Sequence, residues 1–409
     1  MEKVKIGLVG LGQRGYSLLF PLLEIDSAII VALCDKYQDR IDRAFDVIQN
    51  KQPTNSPKKF TSFDEFINYE EMDAVIIATS WKMHVQQAII ALKAKKIVGL
   101  EVGGANNLNE CYELVKAYEK TKTPFMFLEN CCYDKFELLT TSLVRANELG
   151  EIIHCHGAYS HDLREEIMGG NINRHYRLEE YINKNRDNYP THALGPILKI
   201  LNITRGNRFV SLTSYSSKSR GLKEFEKSTK NPDKTLANQD FKQGDVVNTI
   251  ISCENGEVVT LTLNTTLPTY YSRELTVRGT KGLTKEEGHI VYLDKDMPPH
   301  EFYNSNKFIN KYINNSDKYD DYLPDFWRNI TEEERKLGHG GMDYFMIKDF
   351  INHIINKDEM PIDVYEAVAL SSISPLTEQS IKHKGKTIKI PDFTKGKYKV
   401  RKQKDVVQL

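Results

Sequence analysis

A tyrosine and a histidine lie three residues apart in the run Tyr189-Pro190-Thr191-His192. On one helical turn, residues with this spacing share a face. A histidine titrates near neutral pH and a tyrosine hydroxyl can donate a hydrogen bond, so the pair could act as general acid and base. The run also suits a plain helix start, because Pro190 fits a first turn and His192 can be a buried structural group. The residues alone leave both interpretations open.

Other polar and aromatic side chains are placed where predicted strands end or begin. His161 and Asp162 directly follow a predicted strand, so their side chains can face a binding crevice. Tyr271 lies three residues after Pro268, at the start of another predicted strand. We predict substrate contacts for His161, Asp162 and Tyr271. The alternatives are a surface loop for His161 and an edge-strand core position for Tyr271.

Three glycines in the pattern G-x-G-x-x-G follow the first apolar run of the chain, within residues 4–15. Glycines at these positions allow a tight turn, a close approach of the backbone to a pyrophosphate and a close helix crossing. Asp35 ends the next predicted strand, about 25 residues later, where a ribose-binding carboxylate belongs. A carboxylate there repels a 2′-phosphate, so we predict NAD rather than NADP, a preference that Lys36 moderates. A glycine turn in some other α/β unit is the alternative. The predicted cofactor residues of this turn are Gly10, Leu11, Gly12, Gln13, Arg14 and Gly15.

Strand and helix patterns alternate through residues 1–130, which predicts a doubly wound parallel sheet. In such sheets, ligands bind beyond the carboxyl ends of the strands. The residues that follow the later predicted strands, and are therefore also predicted to line the cofactor crevice, are Thr79, Trp81, His84, Glu101, Val102, Glu129 and Asn130. Trp81 could flank the nicotinamide or plug the crevice, and His84 is better explained as steadying its loop. Glu129 and Asn130 could bind cofactor ribose or substrate.

The pattern changes after residue 130. Strands are predicted at residues 152–159, 209–216, 246–253 and 258–267, and Asn255-Gly256 between the last two is typical of a hairpin. The fold class is therefore α/β: a Rossmann domain at residues 1–130, then an α+β domain at residues 131–409 with an open, mainly antiparallel sheet. We expect a C-terminal helix of the second domain to pack back on the first. The charged segments 218–245 and 294–336 are predicted to be solvated.

Composition limits the classes of partner. Lysine plus arginine and aspartate plus glutamate both number 56, so the formal charge of the 409 residues is zero. This balance argues against nucleic acid or an anionic membrane as the main partner. No apolar run reaches the length of a membrane span, and the first strand starts too early to leave room for an export signal. No cluster has convincing metal-ligand spacing. The six cysteines, none in C-x-x-C, favour a reduced, cytoplasmic chain: Cys34, Cys111, Cys131, Cys132, Cys155 and Cys253.

The glycine turn, Thr79 with His84 and Glu101 together resemble the Gfo/Idh/MocA family of sugar and cyclitol dehydrogenases. That resemblance implies an NAD-binding Rossmann domain followed by an open substrate-binding sheet. Members usually carry Glu-Lys-Pro after the fourth strand, and the lysine transfers protons. Val102 stands at the lysine position here. A valine cannot carry a proton, so this chain needs another acid and base.

The chain is more closely similar to glycoside hydrolase family 109, the NAD-dependent α-N-acetylgalactosaminidases. The runs that carry the likeness span nearly the whole chain: Thr79-Ser80-Trp81, Glu101-Val102, Glu129-Asn130-Cys131-Cys132-Tyr133, Gly157-Ala158-Tyr159, His161-Asp162-Leu163-Arg164-Glu165, Tyr189-Pro190-Thr191-His192, Tyr271-Ser272-Arg273 and His339-Gly340-Gly341-Met342-Asp343. One departure is Gly103-Gly104-Ala105, where the family has Pro-Ala-Ala. Many members also carry an export signal, whereas we expect none here.

This second resemblance implies glycoside hydrolysis without net redox change: oxidation at carbon 3 of the sugar, elimination, addition of water and re-reduction. It implies Tyr189 and His192 as acid and base, with Tyr159 added to the substrate-binding residues. Asp343 could contact substrate, although an acid at a helix start is common without such a role. It also favours a homo-oligomer, a dimer or a tetramer. The alternatives are a net NAD-linked sugar dehydrogenase and a sugar-nucleotide sensor without catalysis.

Overall fold

The structure is a computed structural model that describes residues 3–230, 233–236, 238–296 and 302–409. Two compact units divide the chain. The first comprises Met1–Tyr133 with Asn329–Val368, and the second comprises Asp134–Arg328 with Ala369–Leu409. The predicted Rossmann domain, residues 1–130, lies within the first unit.

Fourteen strands are found in the described residues. They are β1 Val4–Val9, β2 Ala28–Cys34, β3 Lys58–Phe60, β4 Ala74–Ile77, β5 Ile97–Glu101, β6 Phe125–Leu128, β7 Ile152–Ser160, β8 Phe209–Ser216, β9 Val246–Cys253, β10 Val258–Asn264, β11 Thr276–Gly279, β12 Gly282–Lys285, β13 Ile290–Leu293 and β14 Ile388–Lys389.

Eighteen α-helical segments connect or cover these strands in the same described ranges. They are α1 Gln13–Ser17, α2 Leu19–Leu23, α3 Gln38–Lys51, α4 Phe63–Ile67, α5 Trp81–Lys93, α6 Leu108–Thr121, α7 Lys135–Arg145, α8 Arg164–Met168, α9 Gly170–Asn173, α10 Arg177–Asn183, α11 Thr191–Ile200, α12 Gly221–Ser228, α13 Asn306–Tyr312, α14 Asp325–Arg328, α15 Glu332–Arg335, α16 Met342–Asn356, α17 Val364–Ser371 and α18 Ile373–Lys382. No helix of the described chain is both long and apolar enough to cross a bilayer.

The first unit contains a six-stranded sheet in the order β3-β2-β1-β4-β5-β6, with every pair parallel. Its central strand β4 is buried along its whole length, as expected for a parallel strand with both faces covered. The order reverses between β1 and β4, and such a switch point opens a crevice at the carboxyl ends of the strands. The predicted doubly wound parallel sheet is confirmed.

Helix α16 belongs to the first unit, although it lies more than two hundred residues after β6. Phe350 of α16 packs so closely over β5 that a methyl group on Gly99 would lie 3.2 Å from its ring. The segment after α16 is tied to β6 as well, because Phe127 N–H donates to the Ile362 carbonyl at 2.9 Å. These contacts place the start of α16 near the strand ends that carry the predicted cofactor residues.

The second unit contains an eight-stranded sheet in the order β13-β12-β11-β7-β10-β9-β8-β14. Only β7 and β10 pair in parallel, and the other pairs are antiparallel, which confirms the predicted open, mainly antiparallel sheet. Helix α11 packs on one face. A methyl group on Gly157 of β7 would meet the Ala193 carbonyl oxygen at 2.9 Å, so this glycine allows the helix its close approach.

Two helical stretches of the chain are each divided in the structure. Residues 16–23 span parts of α1 and α2, and residues 364–383 form α17 and α18. A proline lies near the start of the second helix in both cases, Pro21 in α2 and Pro375 in α18. Proline has no N–H to bond the carbonyl four residues earlier, which interrupts the helical ladder at that point.

Candidate functional site

The glycine turn of the first unit has the shape of a dinucleotide cradle. Gly10 has a φ of +87°, and a methyl group there would lie 2.6 Å from the backbone of Ala78 and Thr79. A methyl group on Gly15 would lie 1.8 Å from the Gly10 carbonyl oxygen. Around Gly12, by contrast, the nearest atom to such a methyl group is a terminal nitrogen of Arg40 at 3.4 Å. The backbone at Gly12 is thus accessible to a diphosphate, as this motif requires.

Asp35 holds the glycine turn against the end of β2. One carboxylate oxygen accepts the Leu11 N–H at 2.7 Å, and the other accepts the Tyr37 N–H at 2.9 Å. The Arg40 guanidinium approaches the same carboxylate to 3.9 Å. Each carboxylate oxygen can accept a second bond, so ribose binding is compatible with these contacts. Gln13 follows Gly12 and begins α1.

Arg14 leaves the turn on the side that faces α16. Its guanidinium grips Asp343 with two bonds of 2.6 and 2.9 Å, and its Nε lies 3.0 Å from a Glu101 carboxylate oxygen. Asp343 also accepts from the Asn130 amide at 2.8 Å and contacts His339 Nδ1 at 2.8 Å. Asp343 is fully buried, so it is enclosed by these partners rather than presented to a ligand.

The charge on Asp343 is maintained by its partners. Burial opposes ionisation, but the Arg14 guanidinium and the His339 hydrogen bond lower the pKa of this carboxyl far below its usual range. The network joins the ends of β1, β5 and β6 to the start of α16. The predicted cofactor residues Glu101 and Asn130 are therefore brought together with Arg14 through a residue from the distant end of the chain.

Hydrogen bonds with buried side chains of α5 hold the segment after β4. His84 Nε2 bonds the Thr79 carbonyl at 2.7 Å, and burial lowers the pKa of His84 to about 4, so the ring is neutral and donates. The Thr79 hydroxyl donates to the Gln87 side chain at 2.6 Å. These contacts agree with the interpretation that His84 steadies its loop.

Trp81 begins α5 and is almost fully buried. A methyl group on Gly103 would lie 2.3 Å from the Trp81 indole, so no larger residue fits there without movement. This contact accounts for glycine at a position where the dehydrogenase family has proline. Val102 is buried beside it. Glu129 is also buried and accepts the Cys131 N–H at 3.1 Å.

The second unit brings five of its predicted residues into one cluster. Tyr189 and His192 lie at the start of α11, with the hydroxyl 3.3 Å from Nε2. The Tyr159 ring lies 4.6 Å from that of Tyr189 and 5.7 Å from that of His192. The Tyr159 hydroxyl lies 3.1 Å from His161 Nδ1, and the His161 ring packs edge-on to Tyr271 at 5.0 Å. We call Tyr159, His161, Tyr189, His192 and Tyr271 the tyrosine–histidine cluster.

Arg177 completes this cluster and was not predicted. Its guanidinium lies 5.1 Å from the centre of the Tyr189 ring, and its Nε lies 2.9 Å from a Glu166 carboxylate oxygen. Burial raises the pKa of Tyr159 to about 12, with Arg177 acting in the opposite direction. Burial and, next, Arg177 lower the pKa of His161, so its ring is neutral at pH 7. The local sequence of Arg177 gives no signal, because it is one cation in a charged stretch.

Asp162 does not join the cluster. Its two oxygens accept from the Arg164 guanidinium at 2.8 and 2.6 Å, which stabilises the loop after β7. The turn before Tyr189 is instead held by Gln243, whose side-chain oxygen accepts from Arg186 N–H at 3.2 Å and from the Asn188 amide at 3.4 Å. Gln243 lies in a segment predicted to be solvated, yet it is almost fully buried.

The comparisons with known proteins follow the same division. Residues 4–128 match the model described as "Oxidoreductase family, NAD-binding Rossmann fold", and residues 133–400 match "Glycosyl hydrolase 109, C-terminal domain". The chain belongs to glycosyl hydrolase family 109. The predicted resemblance to both families is confirmed, and the chain is an enzyme, a glycosidase with an NAD-binding fold.

Similar proteins support this membership in family 109 along the full length. A glycosyl hydrolase family 109 protein of Stenotrophomonas maltophilia is 34% identical, over 98% of this chain and 91% of the relative. An alpha-N-acetylgalactosaminidase of Tannerella forsythia is 36% identical, over 97% of this chain and 87% of the relative.

Solved structures share the fold at low identity. Myo-inositol 2-dehydrogenase from Lactobacillus plantarum has a TM-score of 0.67 and 16% identity, over 95% of this chain and all of that one. Scyllo-inositol dehydrogenase from Lactobacillus casei, solved with NAD(H) and scyllo-inositol, has a TM-score of 0.65 and 15% identity, over 95% of this chain and 99% of that one. The roles of individual site residues in this family 109 enzyme stay predictions.

Proposed function

We propose that the enzyme hydrolyses terminal α-N-acetylgalactosamine, or a closely related amino sugar, through transient oxidation at carbon 3 by bound NAD. The observation that carries this proposal is the Tyr189–His192 pair inside a cluster of three tyrosines and two histidines. Val102 stands where related dehydrogenases carry a proton-transferring lysine, so the pair is the best remaining candidate for that work. The name of the Tannerella forsythia relative supports the choice of sugar.

The Rossmann unit fits NAD. Gly10 and Gly15 cannot carry a side chain without a clash, and Gly12 leaves its backbone accessible. Gly10, Leu11, Gly12, Gln13 and Gly15 would surround the diphosphate, and Asp35 would accept from ribose hydroxyls and disfavour a 2′-phosphate. NAD bound there would supply the chemistry of a reversible hydride acceptor, with no net consumption of the nucleotide.

The cluster residues perform the proton transfers in this proposal. His192 Nε2 takes the proton of the carbon-3 hydroxyl, and the Tyr189 hydroxyl beside it donates a hydrogen bond to the oxygen that becomes a carbonyl. The carbonyl acidifies the proton on carbon 2, and removal of that proton by a basic group expels the glycosidic oxygen. Addition of water and the reverse proton transfer then give the free sugar. Such elimination routes are a recognised exception to hydrolysis by two carboxylates.

The sugar is held by the aromatic walls. Tyr271 is 45% exposed and presents a flat apolar face with a hydroxyl at its edge, which suits a pyranose ring. The buried Tyr159 supports it, with the two ring centres 6.3 Å apart. Neutral His161 can accept from a sugar hydroxyl, and Arg177 can donate to an acetamido or hydroxyl oxygen. Together, these aromatic and polar side chains favour binding of a sugar ring.

A chromogenic α-N-acetylgalactosaminide tests the proposal. Purified protein should release the chromophore, hold nicotinamide nucleotide that denaturation sets free, and accumulate no NADH during turnover. NADH accumulation in step with substrate would instead support a net sugar dehydrogenase. Binding of the glycoside without release of the chromophore would support a sensor.

Replacement of His192, the proposed base, tests its role in the reaction. His192→Ala should lower turnover by at least about a hundredfold while the nucleotide stays bound, since a general base contributes at least that factor. His383→Ala is the matched control, because this exposed histidine at the end of α18 bonds only a helical carbonyl among its described contacts. Undiminished activity of His192→Ala would remove this residue from the mechanism.

We also propose a homo-oligomer and a cytoplasmic location for the enzyme. All six cysteines lie in the described ranges and are buried, and they form no disulfide there, as expected in a reducing compartment. Fractionation of the source cells with an antibody against the chain tests the location.

A further inference from the structure

Arg273 adjoins the tyrosine–histidine cluster through Tyr271, and the proposed mechanism does not use it. The residue precedes β11, and only 5% of its side chain is exposed. Its backbone carbonyl accepts the Ala158 N–H of β7, which fixes its position in the sheet. The side chain is thus a buried guanidinium one residue away from Tyr159 in the paired strand.

Three carboxylates from separate segments surround this guanidinium. Nε donates to Glu137 at 2.5 Å, and one terminal nitrogen lies 3.1 Å from Asp134 and 3.4 Å from Glu286. Asp134 caps α7 and Glu137 lies in its first turn, whereas Glu286 follows β12. We call Asp134, Glu137 and Glu286 the acid cage.

Burial and Arg273 act on the carboxyls of the acid cage in opposite directions. Burial raises the pKa of Glu137 well above its ordinary value, with Arg273 opposing that change. For Asp134, burial is the largest single influence, but Arg273 together with the hydrogen bonds from Glu137 and the Phe136 N–H lowers the pKa. Arg273 thus favours the ionised form of both carboxyls, as expected for a guanidinium that bonds carboxylates.

The other terminal nitrogen of Arg273 reaches the cluster. It donates to the Tyr271 hydroxyl at 3.3 Å, and the guanidinium carbon lies 5.8 Å from the centre of that ring. Tyr271 is 45% exposed, so one side of its ring is open to solvent. The same ring packs edge-on to His161.

We propose that Arg273 is a positioning residue of the sugar site. The acid cage holds the Arg273 side chain in place, and Arg273 in turn orients the Tyr271 ring against His161. This inference rests on the proposed function, because it takes the cluster to be the sugar site. A planar guanidinium can bond the cage and the phenol at fixed angles at the same time, and an ammonium cannot. Arg273 therefore acts on affinity through Tyr271, without itself touching substrate.

A double-mutant cycle tests the inference on the full chain with its nucleotide. Arg273→Lys keeps the charge and loses the fork, and Tyr271→Phe removes the hydroxyl that the fork bonds. Each single change should weaken binding of N-acetylgalactosamine, measured by calorimetry, about tenfold, the effect of one hydrogen bond. Each should raise KM of the chromogenic glycoside by a similar factor and change kcat by less than about threefold. The double variant should bind the sugar no more weakly than the single variant with the lower affinity.

Two controls separate positioning from folding. Arg278→Lys changes another arginine of the same region, whose guanidinium bonds His154, and should leave sugar affinity unchanged. Glu137→Gln keeps an oxygen that can accept from Arg273 Nε and should keep affinity within about threefold if the cage only locks Arg273. Where Arg273→Lys unfolds, Glu137→Ala replaces it in the cycle, because it removes the acceptor of Nε. It should weaken sugar binding in the wild type and add nothing beside Tyr271→Phe.

The outcomes distinguish this inference from the proposed function. Unchanged affinity of Arg273→Lys, or effects of the two changes that multiply, overturns the positioning role while hydrolysis by the wild type still stands. A wild type that binds the sugar without hydrolysing the glycoside overturns the proposed function. The sugar affinities of the single and double variants then still test the role of Arg273. A wild type that binds no amino sugar overturns both.

Discussion

Asp187 shows how one buried carboxyl can link the candidate catalytic turn to pH. It lies two residues before Tyr189 and accepts the Tyr189 N–H at 3.3 Å. Burial raises the pKa of Asp187 to about 7, and the Tyr189 N–H and Arg186 act in the opposite direction. An acid whose pKa is raised on folding favours the native state at low pH. That contribution is lost as pH rises from about 4 to about 7.

We predict that Asp187→Asn removes this part of the pH dependence. The amide oxygen can still accept the Tyr189 N–H, so at pH 4 the variant should be about as stable as the wild type. At pH 8 it should be more stable, by at most about 4 kcal/mol, because three pKa units are worth about that much. Denaturant unfolding at both pH values measures the difference. If the free energy of unfolding changes equally with pH in the two proteins, Asp187 does not titrate in this range.

The sequence reveals site residues when their chemistry and their local position agree. Tyr189 and His192 are three apart at a helix start, and the structure brings the hydroxyl and the ring nitrogen to 3.3 Å. Arg177 and Gln243 act in the same region without such a pattern. Both reach it through contacts that depend on the tertiary fold, so neither could be found from spacing.

At the scale of elements, α16 and the glycine turn are coupled through Asp343. The helix begins after a run in which Gly338, Gly340 and Gly341 all have positive φ, which lets the chain turn tightly into the first helical residue. A methyl group on Gly338 would lie 2.4 Å from the Asp343 carboxylate. This tight start places the carboxylate against Arg14, 329 residues earlier in the chain.

We predict that Asp343→Asn weakens retention of the nucleotide. An amide cannot accept two bonds from Arg14 and one from Asn130 with the strength of a carboxylate, so the arginine of the glycine turn loses its anchor. Nucleotide retained after gel filtration, released by denaturation and measured by absorbance, should fall at least about fivefold, the effect of about 1 kcal/mol.

His339→Ala serves as a milder control for this network, since His339 is half exposed and contributes one of the bonds to Asp343. Its effect on retention should be smaller than that of Asp343→Asn. Full retention by Asp343→Asn would mean that the turn keeps its shape without α16.

Elements with strong local patterns were predicted with the bounds that the structure has. Strands β8 and β9 agree to the residue with the predicted runs. Strand β12 was missed, because it has four residues and only one of them is buried. The short helices between β7 and α11 were missed for a similar reason, since one or two turns give too few residues for a helical period.

At the scale of the whole molecule, strand order is the feature that local patterns could not give. The hairpin β9–β10 follows from Asn255-Gly256, but the parallel pairing of β10 with β7 joins segments about a hundred residues apart. Pairing at that distance depends on which faces must be buried together, and it is fixed only by the complete sheet.

The outer face of the eight-stranded sheet leads to the last prediction. Along β9 and β10 the burial alternates, and the outer positions carry mostly small uncharged residues with a few larger apolar ones. Ile250 is 55% exposed on this face and Tyr215 is 61% exposed on the neighbouring strand. The face spans five or more strands about 4.8 Å apart, which offers an area in the range of about 800 Å² that a stable interface needs on each partner.

We propose a second copy of the chain as its occupant, since a chain with no net charge does not repel its copy. The wild type should elute as a dimer or tetramer in size-exclusion chromatography with light scattering at micromolar concentration. Ile250→Glu should shift it toward the monomer, because an unpaired carboxylate would be buried in the interface. Ile172→Glu is the matched control, as Ile172 is 72% exposed but lies in the short helix α9, away from the sheet. A monomeric wild type, or equal masses for all three proteins, would show that this face is not where copies meet.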